Sequence, residues 1–236
     1  DYMNDRYTPE NLLIAVAGNV GHERVVQLAG EKFGELKRKG RTMPPSEFTD
    51  PEPGRKELTK AIEQTHYVIG KRGLHTNHDD KYLLLMANTV LGGGMSSRLH
   101  QNVREKYGYC YSIQAFNQTF SDSGLYGVYV GTDKDYVDHV HELVLKELKI
   151  IGTEQVSDKE LSEAKSQLKG KLLLSQENTS NRMTRLAKSE LYFDRFITLD
   201  ELVENIDAVS SKDLLHFAAD FFKPETFSEV ILYPEE

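Results

Sequence analysis

Cysteine is almost absent from this chain: Cys110 is the only one among 236 residues. A lone thiol excludes a disulfide framework and any zinc site built from cysteines, and it suits a reducing compartment. No apolar run approaches the roughly 20 residues that a membrane helix needs, and no signal peptide is visible. These absences favour the cytoplasm and predict no membrane partner. The basic excess of a nucleic-acid surface is missing too, the formal net charge being −8, so nucleic acid is not an expected partner. Proline is scarce and uneven: four of seven (Pro44, Pro45, Pro51, Pro53) sit close together. What remains, 39% hydrophobic and 28% charged residues, suits a folded domain with a sizeable core.

Metal motifs are also lacking. Neither His-Glu-x-x-His nor His-x-x-Glu-His occurs. His139 and His141 stand two positions apart, about 200° around a helix axis, and cannot easily share an ion. His75 and His78 fall in a polar loop and read as solvated. No serine occupies a Gly-x-Ser-x-Gly elbow, and Cys110 reads as a packing residue. Asn117-Gln118-Thr119 and Asn178-Thr179-Ser180 match glycosylation triplets, which without a secretory context read as chance.

Periodicity organises the rest. Leu12–Ala17 is a continuous apolar run, the pattern of a strand buried on both faces, and a helical spacing of Val25, Val26, Ala29 and Phe33 follows it. From Lys37 to Glu57 the proline-rich composition predicts an extended linker. Beyond it come a strand at Thr65–Gly70, a helix over Asp79–Leu91, and a short helix capped by Ser96 or Ser97 and ended by Gly108. Strands are expected at Tyr109–Phe116 and Gly124–Val130, then a long helix with Val137, Val140, Val144 and Ile151 on one face. Ser157–Glu160 reads as a capping box opening another helix. Helices near 182–191, 199–206 and 211–222 and a strand at Glu229–Tyr233 close the chain. The order predicts α+β: a mainly antiparallel sheet with its helices packed on one face. The chain begins with Asp1, not Met, and reads as a piece of something longer.

The most distinctive stretch is LGGGMSSRLHQNVREKYGYCYS, Leu91–Ser112. Its glycines lack the Gly-Lys-Ser/Thr ending of a phosphate loop, and a helix precedes them where a dinucleotide site needs a strand. They read as the end of one helix and a sharp turn into the next. Arg104 and Tyr111 could hold a peptide carbonyl and donate to a developing oxyanion. The plainer reading is an arginine favoured by the helix dipole and a tyrosine packed on the sheet.

RYTPENLLIAVAGNV (Arg6–Val20), LGGGMSSRLHQNVREKYGYCYSIQAF and QENTSNRMTRLAKSELYF together resemble the M16 peptidases, the insulinase, pitrilysin and mitochondrial-processing-peptidase family. That resemblance implies two homologous α+β halves of the LuxS/MPP-like α/β-roll type, joined by a linker and closing around an unfolded peptide. The first half carries zinc on an inverted motif with a downstream glutamate. The second is metal-free and supplies an arginine and a tyrosine to the substrate backbone. The matching positions are Arg104 and Tyr111 for substrate binding, with Gly92, Gly93 and Gly94 as the glycine turn before them.

The implied organisation is 1–46 as the tail of the zinc-bearing half, 47–60 as linker and 61–236 as the metal-free domain. No metal or cofactor is expected on this chain, and zinc is expected in the missing N-terminal half. The implied partners are that half, in the same chain or in another subunit, and a peptide substrate; a dimer is among the arrangements the family uses. Alone, the fragment is expected to be inactive, with no catalytic residue of its own. Two functions fit: the substrate-binding half of a zinc endopeptidase, or a non-catalytic peptide-binding scaffold that partners a separate zinc subunit.

Overall fold

The computed structural model describes residues 2–36, 49 and 52–235. In chain order they form α1 (Tyr2–Arg6), α2 (His22–Phe33), β1 (Arg55–Lys60), β2 (Thr65–Arg72), α3 (Lys81–Gly92), a π-helical turn (His100–Glu105), β3 (Cys110–Thr119) and β4 (Gly124–Thr132). Then follow α4 (Val137–Thr153), α5 (Asp158–Ser175), α6 (Thr179–Phe193), α7 (Leu199–Ala208), α8 (Ser211–Phe221) and β5 (Ser228–Pro234). Two compact units result, one from Asp1–Phe48 with Gly170–Thr198, the other from Thr49–Lys169 with Leu199–Glu236.

The second unit is α+β, as expected. Its five strands run in the order β1-β5-β2-β4-β3. β2–β4, β2–β5 and β3–β4 are antiparallel, and only β1–β5 is parallel. Register explains how the sheet divides its faces. Ile231, Tyr67, Val130 and Ile113 stand side by side across four strands, and Ile69, Val128 and Ala115 form the next row. All are buried, in one core with Leu84, Leu91, Val140, Val144, Leu148 and Leu214 from α3, α4 and α8. Strand residues alternate in side, so the intervening rows lie on the opposite face. One of them is Leu232, His66, Gly131 and Ser112, and the next is Val230, Val68, Tyr129 and Gln114.

Four expectations need correction. Arg55–Lys60, inside the stretch expected to be linker, is β1, paired in register with β5 from Arg55↔Glu229 to Lys60↔Pro234. All six of its residues are exposed; an edge strand made of charges carries no apolar alternation to read. The expected linker residues 37–48, 50 and 51 lie outside the described residues.

Leu12–Ala17 forms no strand among the described residues, because no neighbouring chain supplies the ladder of hydrogen bonds a strand needs. The run still alternates: Leu13, Ala15 and Ala17 are half-buried while Leu12, Ile14 and Val16 are exposed. Residues 13–17 line a cavity of about 1020 Å³ with Val25, Ala29 and Leu186 of the same unit.

The short helix after the glycines is a π-helix, not a capped α-helix. Lys106 N–H donates to Gln101 C=O at 3.1 Å, and the residue before the π turn makes no capping hydrogen bond. Ser97 instead donates its hydroxyl to the Gly94 carbonyl at 2.6 Å. The capping box is half formed: Ser157 Oγ accepts from Glu160 N–H at 3.3 Å, but the Glu160 carboxylate is drawn to Arg98.

Candidate functional site

The glycine turn is built by close approach. A Cβ on Gly92 would lie 2.2 Å from the Ala115 backbone nitrogen, and one on Gly93 would lie 2.7 Å from Thr89 backbone. Neither glycine has a positive φ, whereas Gly108 does, at 68°. So α3 ends directly against β3, and the left-handed conformation that reverses the chain is spent at Gly108. A Cβ on Gly94 would meet only the Gln167 side chain, at 2.8 Å.

Polar clamps then hold the turn and the π-helix. Arg98 donates two parallel hydrogen bonds to Glu160, both at 2.7 Å. Asn102 Nδ2 donates to Glu147 Oε1 at 2.8 Å, and Gln167 Nε2 to the Gly93 carbonyl at 2.9 Å. Leu99, His100 and Val103 face inward while Arg104 is exposed. Arg104 is thus presented from a short element anchored on one side.

Tyr111 owes its position to a β-bulge. Cys110 pairs with Thr132 and Ser112 with Gly131, which leaves Tyr111 unpaired between them. A bulge bends its strand and re-aims a side chain. Here Tyr111 and Ser112 are both exposed while Cys110 and Ile113 are buried. Tyr111, 59% exposed, lines a cavity of about 580 Å³ with Ile62, Glu63, Gln64, His66 and Asp133. Its hydroxyl donates to Asp133 Oδ2 at 2.9 Å. That hydrogen bond and the carboxylate's charge raise the phenol above its ordinary pKa. Asp133→Asn is therefore expected to bring the Tyr111 titration back toward the roughly 10 of a free phenol, read as ultraviolet difference absorbance against a Tyr111→Phe reference.

Arg104 Nη1 donates to His100 Nε2 at 2.9 Å. Arginine and tyrosine thus engage different partners, and both lie around the start of β3. Between them Cys110 is buried, and desolvation pushes its thiol up to about 11 against the opposing pull of the Arg104 charge. A raised thiol pKa keeps the neutral form at pH 8. Alkylation of Cys110 is expected to be slow at that pH and fast once urea unfolds the chain, as mass spectrometry would show; prompt labelling of the native protein would contradict this packing. An aromatic stack borders the site that periodicity did not reveal: Tyr107–Tyr109 and Tyr109–Tyr136, with centroids 5.3 and 5.0 Å apart. Only the fold brings Tyr136 to Tyr109.

Among the described residues no group of three or more His, Cys, Asp or Glu could hold a metal ion. The described residues therefore do not fit a zinc site. No described helix is long and apolar enough to cross a membrane.

The chain belongs to the peptidase M16 family, matching the family's inactive domain over residues 1–168. It is 34% identical over 235 residues to the uncharacterized zinc protease YmxG of Bacillus subtilis, covering 99% of this chain and 56% of that protein. A protease from Helicobacter pylori superposes with a TM-score of 0.88 at 19% identity, over 99% of this chain and 58% of that one. The peptidase M16 inactive domain from Pseudomonas fluorescens gives 0.82 at 17% identity, over 93% and 53%. The chain spans about half the length of each.

Proposed function

We propose that this chain is the metal-free, substrate-binding half of an M16 zinc endopeptidase, in which Arg104 and Tyr111 grip the backbone of an extended peptide. The observation that carries the reading is the bulge at Tyr111, which turns a phenol out of the edge strand and into a cavity instead of packing it on the sheet. Arg104 offers a charged fork suited to a peptide carbonyl or terminal carboxylate. Tyr111 offers one proton to a carbonyl oxygen that gains negative charge during attack. To do so it exchanges Asp133 for the substrate, and a phenol, whose ordinary pKa is roughly 10, keeps that proton at neutral pH.

Zinc, in this reading, belongs to the companion half, in the same polypeptide or in a partner subunit, as the name zinc protease borne by the Bacillus relative suggests. The domain plan goes with it: residues 1–46 are the tail of that half and the sheet from β1 onward belongs to this one. The extended, half-covered run at Leu12–Ala17 supports such a tail, since its exposed side chains await cover.

Arg104→Ala in the full-length protein is expected to raise KM for a peptide about tenfold with kcat changed less than threefold, because a charged hydrogen bond held in both ground and transition states is lost. Steady-state kinetics with an internally quenched peptide measures this. Unchanged kinetics with zinc fully loaded would refute the role. If the wild-type protein binds peptide but never cuts it, the chain serves a non-catalytic scaffold.

A further inference from the structure

Arg104 meets a buried imidazole. His100 is 8% exposed, faces inward from the π-helix, and meets Arg104 Nη1 through Nε2 at 2.9 Å. A guanidinium has only donors to offer, so Nε2 must present its lone pair. The ring is then neutral, with its proton on Nδ1. Nδ1 is buried without a hydrogen-bond partner, and Glu105 Oε1 stands 3.7 Å from it. The ring therefore has one hydrogen-bonding task among the described residues, and that task is to hold Arg104.

We infer that His100 is a positioning residue, a buried acceptor that fixes the Arg104 guanidinium for the incoming peptide. The inference rests on the reading of Arg104 given above. An exposed arginine on a flexible stem loses rotamer freedom when it grips a ligand, and a side chain already held loses less. One Nη is tied to His100, leaving the remaining donors of the fork for a carbonyl oxygen. The two residues are one helical turn apart, so the anchor and the side chain it steadies belong to the same element. Leu99 and Val103 of the same segment are fully buried, so the backbone that carries the ring is anchored in the core.

Three variants of the full-length protein test this. His100→Phe keeps a ring and removes the acceptor; His100→Gln restores an acceptor near the place of Nε2; Arg104→Ala removes the group being positioned. His100→Phe is expected to raise KM for peptide about tenfold, with kcat changed less than twofold. His100→Gln is expected to recover most of that loss, and His100→Phe with Arg104→Ala to be no worse than Arg104→Ala alone. Wild-type KM in His100→Phe, failure of His100→Gln to recover, or full additivity in the double variant would each overturn the inference. If Arg104→Ala impairs KM and His100→Phe does not, only this inference fails; if Arg104→Ala itself changes nothing, the role of Arg104 and this inference fall together.

Discussion

Tyr111→Phe in the full-length protein is expected to lower kcat for peptide hydrolysis by about a hundredfold, the scale of losing one oxyanion donor, with KM nearly unchanged. The change removes one hydroxyl and leaves the ring, the bulge and the cavity in place. Peptide binding is then preserved while the bond that strengthens during attack is lost, and kcat and kcat/KM fall together. Stability gives an internal control. Among the described residues the Tyr111 hydroxyl bonds only an exposed carboxylate, so the melting temperature of the variant should stay within a degree or two of wild type. A hundredfold kinetic loss without a thermal one separates a chemical role from a structural one. A variant that turns over normally would return Tyr111 to the surface tyrosine that its spacing alone suggests.

Gly92→Ala is the second large effect, and it is expected on stability. Its new Cβ would sit 2.2 Å from the Ala115 nitrogen and 2.6 Å from the Ala115 Cβ. Both belong to β3, which is hydrogen-bonded to β4 along its length and cannot step aside locally. The end of α3 must therefore move off the sheet, at a cost of about 3 kcal/mol. For a domain of this size that corresponds to a fall in melting temperature of roughly 10 °C. Gly94→Ala is the matched control, since its Cβ meets only a flexible glutamine end; it should cost under about 1 kcal/mol. Equal melting temperatures for the two variants would mean that the first glycine is not placed by close approach.

These two residues show where the sequence was legible and where it was not. The apolar periodicities of α3, α4, β2 and β4 emerged at nearly the expected positions, because burying a face imposes a period that survives in the residues. The glycine cluster was visible as a turn, but its physical reason was not. The sequence suggests chain reversal, yet the demand at Gly92 is contact with a strand more than twenty residues later, which no local pattern encodes. The bulge at Tyr111 was equally silent. Cys110-Tyr111-Ser112-Ile113 looks like an ordinary strand, and only the register with Thr132 and Gly131 reveals the extra residue.

β1 was missed for the opposite reason. Arg55–Lys60 is charged on both sides and is a strand only because β5 is there to pair with it. Leu12–Ala17 carries the stronger strand signal and pairs with nothing described. Hydrophobicity records that a segment wants cover; it does not record whether the cover is within the same stretch of chain. Arg104 and Tyr111 stood out through family likeness. His100 and Asp133, which hold them, did not, because a buried acceptor is recognisable only once its donor is in place.

The most direct measurement is a structure of the full-length protein, zinc-loaded, with an uncleavable peptide bound. The account predicts Tyr111 Oη within about 3 Å of a peptide carbonyl, released from Asp133, and the Arg104 guanidinium on the same stretch of peptide backbone while still bonded to His100. A peptide that passes both side chains by, with Tyr111 left on Asp133, would contradict it.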